Sequence, residues 1–326
     1  MANPPSKPRP PGDAMTVFDR AAVRAHRRRV AGAATDDQGG RLFREVAARL
    51  GERLEAVRRD FPRALDLGCH GGALAAVLAG RVGGELMVHA DLAPGFAARA
   101  SAVGGGVAIA ADEEMLPFAA DSFDLVASNL DLHWVNDLPG ALIQIARALR
   151  ADGLFLAAML GGRTLAELRE ALLAAELEGE GGAGPRVSPF ADVPDAGALL
   201  QRAGFALPVV DRDTITIAYA DALALMRDLR AMGETNAVVG RRRGFSRRAT
   251  LLGAAALYQE RFAGTDGRIY ATFDVIYLTG WKPDASQPRA LRPGSAQHRL
   301  ADALKTREID AGDHTPFPPA GPKTKR

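Results

Sequence analysis

LDLGCHGG, residues 65–72, joins a short apolar run to the start of a helical pattern, and the architecture follows from that junction. Residues 64–67 are apolar enough for a buried strand, and Leu74, Ala75 and Leu78 open a helix behind the glycines. Glycine lets a backbone turn tightly and lets another group come close to it. The strand-then-helix alternation continues downstream. Strands are expected at 86–89, 107–110, 123–127 and 154–158, with helices at 74–78, at 95–103 and from Asn136 or Asp137 onward. Asn and Asp are good helix caps, and Pro139 suits a first turn. Leu138, Leu142, Ile145 and Leu149 then share one face of that last helix, as a 3.6-residue period requires. Repeated βα units predict a parallel sheet covered by helices on both faces.

In a doubly wound sheet the first βα turn lies beside the topological switch point, where ligands bind. The second strand ends at Asp91, 19 residues after Gly72, a spacing that suits a carboxylate accepting hydrogen bonds from ribose hydroxyls. Dinucleotide and S-adenosylmethionine (SAM) sites share this layout, and three details favour SAM. An acid, Asp66, stands two residues before the first glycine, Gly68, and the loop is not GxGxxG. The third strand runs into Ala111-Asp112-Glu113, followed by Leu116-Pro117-Phe118. The fourth is FDLVASNLDLHWV from Phe123, preceded by Asp121-Ser122. Together these motifs, over about 60–160, resemble the class I SAM-dependent methyltransferases with a type 11 domain. The resemblance implies a seven-stranded, doubly wound Rossmann-like sheet with a helical insert before the last strand. It implies SAM as cofactor, with Asp66, Gly68, His70 and Gly72 at its methionine end. Asp91 and Leu92 would meet the ribose, Asp112 and Glu113 the adenine, and Asn129 would lie beside the sulfonium and the substrate. One departure stands out: His70 occupies the middle glycine of the family loop, so Gly71 and Gly72 are expected to supply the flexibility.

The flanks extend the pattern. FDRAAVRAHRRRV, starting at Phe18, reads as a short basic helix with a solvated face. Leu42, Val46, Leu50, Leu54 and Val57 make an amphipathic helix over 41–60, which Pro62 breaks. Thr164 and Glu167 have capping-box spacing for a helix at 164–177, ended by GEGGAGP at 179–185. A helix at 195–203 stops at Gly204, and a strand is expected at 214–219. Helices at 221–231 and 246–262 follow, the second with Leu251, Ala255, Tyr258 and Phe262 on one face, before a final strand at 271–281. The insert 221–262 joins the last two strands and is expected to cover the active site. Residues 1–14 read as a disordered leader, or as a start assigned too early with Met15 as the true one. Residues 283–326 read as a disordered tail, leaving 15–282 as one domain.

Composition narrows the classes. The 326 residues are 47% hydrophobic and 25% charged, a globular mixture. Lys and Arg total 41 against 39 for Asp and Glu, a net charge of +2 that points to neither nucleic acid nor a membrane surface. The single cysteine, Cys69, permits no intrachain disulfide and reads as a small buried residue beneath the glycine loop. No apolar run is long enough to cross a bilayer. His89-Ala90-Asp91 has the spacing of part of a non-haem iron site. Asp91 is already assigned to the ribose, so no metal ligand set is assigned.

Five further segments narrow the family: SNLDLHWVNDLPGAL (128–142), MLGGRTLAELR (159–169), AELEGEGGAGPRVSPF (175–190), MRDLRAMGETNAV (226–238) and ATFDVIYLTGWK (271–282). They resemble the mitochondrial complex I assembly factor 5 family and its bacterial relatives, from about Phe18 to Lys282. The first two are shared in part with the malonyl-acyl-carrier-protein methyltransferases of biotin synthesis; the last two are not. The resemblance implies a protein substrate, a peripheral-arm subunit of respiratory complex I, modified during assembly by arginine hydroxylation. It implies a bacterial cytoplasmic setting with peripheral contact at the inner membrane. Because a fold does not fix a reaction, two alternatives stay open: a carrier-protein or small-molecule O-methyltransferase, and a non-catalytic SAM-binding assembly chaperone.

Candidate reactive groups cluster near two segments. His133, four residues past Asn129, is placed to act as a base, or with Trp134 to cap the strand and line the cavity. Glu234 and Asn236 could grip a polar or guanidinium-bearing substrate; the competing account is a helix end capped by Gly233. Arg241, Arg242, Arg243, Arg247 and Arg248 read as a solvated helix start rather than a docking patch for an acidic partner.

Overall fold

Side chains alternate between two cores on opposite faces of one sheet. The computed structural model describes residues 16–33, 40–180, 182–287 and 300–306. In chain order the elements are α1 (Arg20–Ala31), α2 (Gly40–Glu55), β1 (Arg63–Leu67), α3 (Ala73–Leu78), β2 (Leu86–Asp91), α4 (Pro94–Gly104), β3 (Val107–Ala110) and β4 (Phe123–Asn129). There follow α5 (Leu138–Ala148), β5 (Leu149–Leu160), α6 (Ala166–Glu180), α7 (Val193–Arg202), β6 (Ala206–Tyr219), α8 (Ala222–Met232), α9 (Arg248–Phe262) and β7 (Ile269–Trp281). These elements lie in one compact unit, Met1–Ala285; a second, Ser286–Arg326, contains the short helix α10 (Leu300–Ala303). The expected leader and most of the expected tail lie outside the described residues.

The sheet order is β3-β2-β1-β4-β5-β7-β6. The five strands from β3 to β5 are parallel, whereas β7 runs antiparallel between β5 and β6. The parallel arrangement expected for the sheet therefore holds for β1 to β5 only. Neighbouring residues of one strand enter different cores, as a two-residue period requires. Ala64, Leu125, Leu156 and Val275 face a core shared with α2, α3, α6, α8 and α9. Leu65, Val126, Phe155 and Ile276 face the core under α5 and α7. Strand order reverses between β1 and β4, so the carboxyl ends of these two strands flank the switch-point crevice.

Three local expectations differ from the structure. β6 starts well before 214 because it is an edge strand with alternating exposure, whose charged residues pair outward. Arg53 meets Asp211 at 3.0 Å, and Arg49 meets Asp213. Thr164 and Glu167 form no capping box. The Thr164 hydroxyl donates to the Asp274 carbonyl at 3.0 Å, and Glu167 accepts from Thr272 of β7. On α9 the buried face is Thr250, Ala254 and Tyr258, with Leu251, Ala255 and Phe262 at its margin.

Candidate active site

The glycine loop is shaped by close approach. Gly68 has φ 65°, and a Cβ there would overlap the Asp131 carboxyl. Gly72, at φ 87°, precedes the first turn of α3, where a Cβ would come within 3.1 Å of the Ala100 Cα. His70 itself adopts a left-handed conformation, φ 45°, a region that glycine enters without steric cost. Gly71 has no positive φ, so among the flanking glycines only Gly72 shares the expected role. The imidazole explains the exchange: it stacks on Phe43 at 4.1 Å and lies 4.0 Å from the Phe96 ring. Its Nε2 donates to the Met232 carbonyl at 2.7 Å. Burial, reinforced by the charge of Arg27, lowers the His70 pKa to about 4, so the ring is neutral at physiological pH. Cys69 packs beneath the loop with Ala75, Ala97 and Ala100, and burial pushes its thiol up.

Asp66 lies below the loop and turns to His89, with Oδ2 3.0 Å from Nδ1. The other ring nitrogen of His89 donates to the Gly105 carbonyl at 2.9 Å. A proton must therefore lie between Asp66 and His89, on one or the other. Burial pushes the Asp66 carboxyl up, with His89 opposing. Asp91, at the end of β2, accepts the His70 amide at 3.0 Å and the Ala93 amide at 2.8 Å. Leu92 packs beneath α1 with Phe18, Val23, Trp134 and Ala237. Asn129 turns its amide to the Phe43 carbonyl, 2.9 Å away, tying β4 to α2.

The basic helix α1 is solvated on one face only: Arg24, Arg28 and Arg29 are exposed, whereas Arg20 and Arg27 turn inward. Arg27 is 4% exposed; it contacts Asp131, meets Glu113 at 2.9 Å and lies 3.8 Å from Asp91. Arg20 contacts Glu113 and meets Asp112 at 2.5 Å, and Arg24 lies 3.6 Å from Asp112. These acids come from β2, β3 and the turn after β4, so their pairing to α1 is a tertiary fact. The charges are unequally met. Burial and mutual repulsion raise Asp131, and burial raises Asp91 to about 6. Glu113 is opposed by the same burial, but Arg27 and Arg20 together hold it below its ordinary value. Asp131 and the three arginines escaped the sequence reading. The recurrence of Arg20, Arg24 and Arg27 at helical spacing was the available signal.

A second constellation sits beside the first. His133 lies in a short 3-10 turn after β4, and its Nε2 is 3.0 Å from Glu234 Oε2. The Trp134 indole donates to the same carboxylate at 3.0 and 3.1 Å. Burial raises the Glu234 carboxyl, but His133, Trp134 and Arg27 outweigh it and leave its pKa below the ordinary value. A carboxylate only accepts, so Nε2 carries a hydrogen, and in the neutral tautomer that this selects it is Nδ1 that has the lone pair. Nδ1 is buried with no hydrogen-bond partner among the described residues. Gly233 ends α8 at φ 84°, so the helix cap and the placement of Glu234 are one feature. Asn236, by contrast, is used structurally: its amide donates to the Pro185 carbonyl at 2.7 Å and its oxygen accepts from Val238.

Glu234 and Trp134 border a cavity of about 660 Å³ between the sheet, α6, α8 and the segment after α8. Leu160, Leu172, Leu229 and Phe273 form an apolar wall, and Arg186, Arg230, Arg241, Arg242 and Arg243 also line it. Residues of the insert, among them Met226, Leu229, Met232 and Leu251, line this cavity. Arg241 is no solvated helix start, since it pairs with Asp19 at 3.1 Å.

A 3-2-1-4-5-7-6 sheet with a glycine turn at its switch point, and acids where β2 and β3 end, defines a class I methyltransferase fold. The chain is 41% identical over 297 residues to the mitochondrial arginine-hydroxylase NDUFAF5 of Danio rerio, covering 91% of this chain and 92% of that one. It belongs to the family of the NDUFAF5 arginine-hydroxylases, within the class I methyltransferases. The sequence model of the methyltransferase domain family matches residues 65–157. The chain is also 38% identical over 299 residues to a malonyl-[acyl-carrier protein] O-methyltransferase of Methylovorus sp. (strain MP688), covering 88% of this chain and 98% of that one. Among solved structures, the YcgJ protein of Bacillus subtilis superposes with a TM-score of 0.52 at 18% identity, over 73% of this chain and 99% of that one; that likeness concerns the fold alone.

Proposed function

We propose that this chain is a SAM-binding enzyme that hydroxylates an arginine on a peripheral-arm subunit of respiratory complex I during assembly. The activity rests on the 41% identity to an arginine-hydroxylase. The observation that carries it into this structure is Glu234, a buried carboxylate at a cavity wall, held by His133 and Trp134. Among the described residues, Oε1 of Glu234 takes only the shared indole N–H. It therefore keeps acceptor capacity for a guanidinium, whose planar fork matches a carboxylate.

The residues present fit a SAM molecule. Asp66 Oδ1, Asn129 Oδ1 and Asp131 Oδ2 are buried acceptors without a partner among the described residues, at and just beyond the ends of β1 and β4. Such acceptors suit the donors of an ammonium group. Gly68, His70 and Gly72 would hold the methionine end, Asp91 and Leu92 the ribose, and Asp112 and Glu113 the adenine, with Asn129 nearest the substrate. When bound, SAM would supply a methyl group on a sulfonium, which serves methyl transfer; hydroxylation inserts an oxygen atom and therefore also consumes dioxygen and a two-electron reductant, which the side chains of this site do not supply. Glu234 orients His133 in the tautomer that leaves Nδ1 free to take a proton, and Trp134 closes the site against water. The setting is a bacterial cytoplasm, with contact at the inner membrane made through the substrate complex. No helix among the described residues is long and apolar enough to cross a membrane.

A second reading is O-methylation of a carboxylate on an acyl carrier protein. It is favoured by the apolar wall and arginines of the cavity, and a carboxylate nucleophile needs no base. Gene deletion followed by intact-mass measurement of complex I subunits separates the readings. Loss of one oxygen's mass from an arginine peptide supports hydroxylation. Unchanged subunits together with a biotin requirement would remove it in favour of the carrier-protein reading.

A further inference from the structure

Five arginines line the cavity, and Glu234 is the one carboxylate among the lining residues. Arg230, Arg242 and Arg243 are exposed, whereas Glu234 is nearly buried, so the cationic groups sit at the mouth and the anionic one within. Arg243 keeps 64% of its side chain exposed even though it lies 3.6 Å from Asp19. Phe245, fully exposed, borders the same mouth. A lone arginine entering here meets like charges before it reaches Glu234, and like charges disfavour approach as strongly as opposite ones steer it. Carboxylates flanking the arginine reverse the sign of that encounter. The polarity of the cavity thus constrains the substrate beyond the one side chain to be modified.

We infer that this cavity takes an arginine presented within an acidic protein segment, with the guanidinium on Glu234 and the flanking carboxylates on the rim of Arg230 and Arg243. This rests on the arginine reading above and adds the charge of the surrounding segment. The rim selects the segment, Phe245 offers it an apolar contact, and Glu234 with Trp134 selects the side chain. Association is steered by the rim and is therefore sensitive to ionic strength.

The test uses the full-length protein and three labelled synthetic peptides read by fluorescence anisotropy. One has a central arginine flanked by Asp and Glu, the second the same arginine flanked by Asn and Gln, and the third the acidic flanks around alanine. The first should bind about tenfold more tightly than the second, with the gap closing at high salt. Arg230→Gln with Arg243→Gln should close most of that gap while lowering the thermal midpoint by no more than the loss of the exposed Arg243–Asp19 pair. Glu234→Gln should erase the preference for the first peptide over the third. Equal binding of the two arginine peptides overturns the acidic-segment inference and leaves the arginine reading standing. Equal binding of the first and third overturns the arginine reading, and this inference with it. A malonyl-loaded acyl carrier protein that binds where none of the peptides does would also overturn both.

Discussion

Glu234 Oε2 lies 3.0 Å from His133 Nε2, so the connection after α8 is fastened to the turn after β4 across a hundred residues of sequence. The backbone makes the contact inevitable. Gly233, in the left-handed region, ends α8, and the Glu234 amide returns to the Leu229 carbonyl at 2.9 Å. A helix cap and a functional carboxylate were competing accounts of this segment; the structure makes the first the means of the second.

Glu234→Gln tests the pair. The amide keeps an acceptor for Trp134 but loses the charge that fixes the His133 tautomer. General-base assistance is worth roughly a hundredfold or more, so turnover should fall by about that factor while SAM affinity is unchanged. Mass spectrometry of the modified peptide measures the first and titration calorimetry the second. Turnover within about twofold of the parent would exclude His133 and Glu234 from the chemistry.

Arg27 offers a test with a pH signature. It is buried against Asp131, Glu113 and Asp91. Arg27→Met leaves those carboxyls without it, and breaking a buried pair costs about 3–5 kcal/mol. Without the arginine, the folded-state pKa values of all three acids rise, that of Asp91 from about 6 and that of Glu113 from below its ordinary value. The folded variant then binds more protons than its unfolded chain above the ordinary carboxylate range, so its stability falls as pH rises. Urea midpoints should show a larger deficit against the parent at pH 8 than at pH 5.5. A deficit independent of pH would mean the acids are not what Arg27 holds.

The fold was legible because its signals are local. The apolar run into LDLGCHGG, the acid closing β2 and the capped start of α5 each lie within a few residues. The cofactor acids could be placed for the same reason, since each stands at the end of a strand. What could not be read was which distant groups meet them. Arg20 and Arg27 look like any solvated basic helix until α1 is laid across β2 and β3. Asp131 is indistinguishable from a turn residue until it is seen against Gly68. Edge strand β6 was shortened because its charged alternation reads as loop, its partners Arg49 and Arg53 lying on α2.

His70 should leave a trace in the acid stability of the protein. Its folded-state pKa is about 4 against an ordinary 6.5, so between those values the unfolded chain binds more protons. Stability is therefore lost as pH falls through that window and is insensitive to this group above it. His70→Gly relieves a left-handed side chain, worth about 1–2 kcal/mol. It gives up the contacts with Phe43 and Phe96, worth about 0.5–1.5 kcal/mol for each aromatic pair. At pH 7.5 the two effects should nearly cancel. At pH 5 the variant should be the more stable, as read by urea midpoints; parallel curves for the two proteins would place the lowered histidine pKa elsewhere.

Gly68 carries the most demanding backbone of the loop. Alanine there takes on the left-handed strain, about 1–2 kcal/mol, and adds a Cβ that overlaps the Asp131 carboxyl, an overpacking that costs about 1–3 kcal/mol. For a chain of this size the sum should lower Tm by roughly 5–15 °C. The two contributions can be separated, because only the second depends on Asp131. Adding Asp131→Ser to Gly68→Ala removes the obstructing carboxyl while keeping a small polar group, so the double variant should recover part of the loss. Asp131→Ser alone frees Arg27 from one partner and should be destabilising. The two substitutions together should therefore cost less than the sum of their separate effects. Thermal melts of the three variants measure that non-additivity, and strict additivity would show that the Asp131 side chain does not press on Gly68.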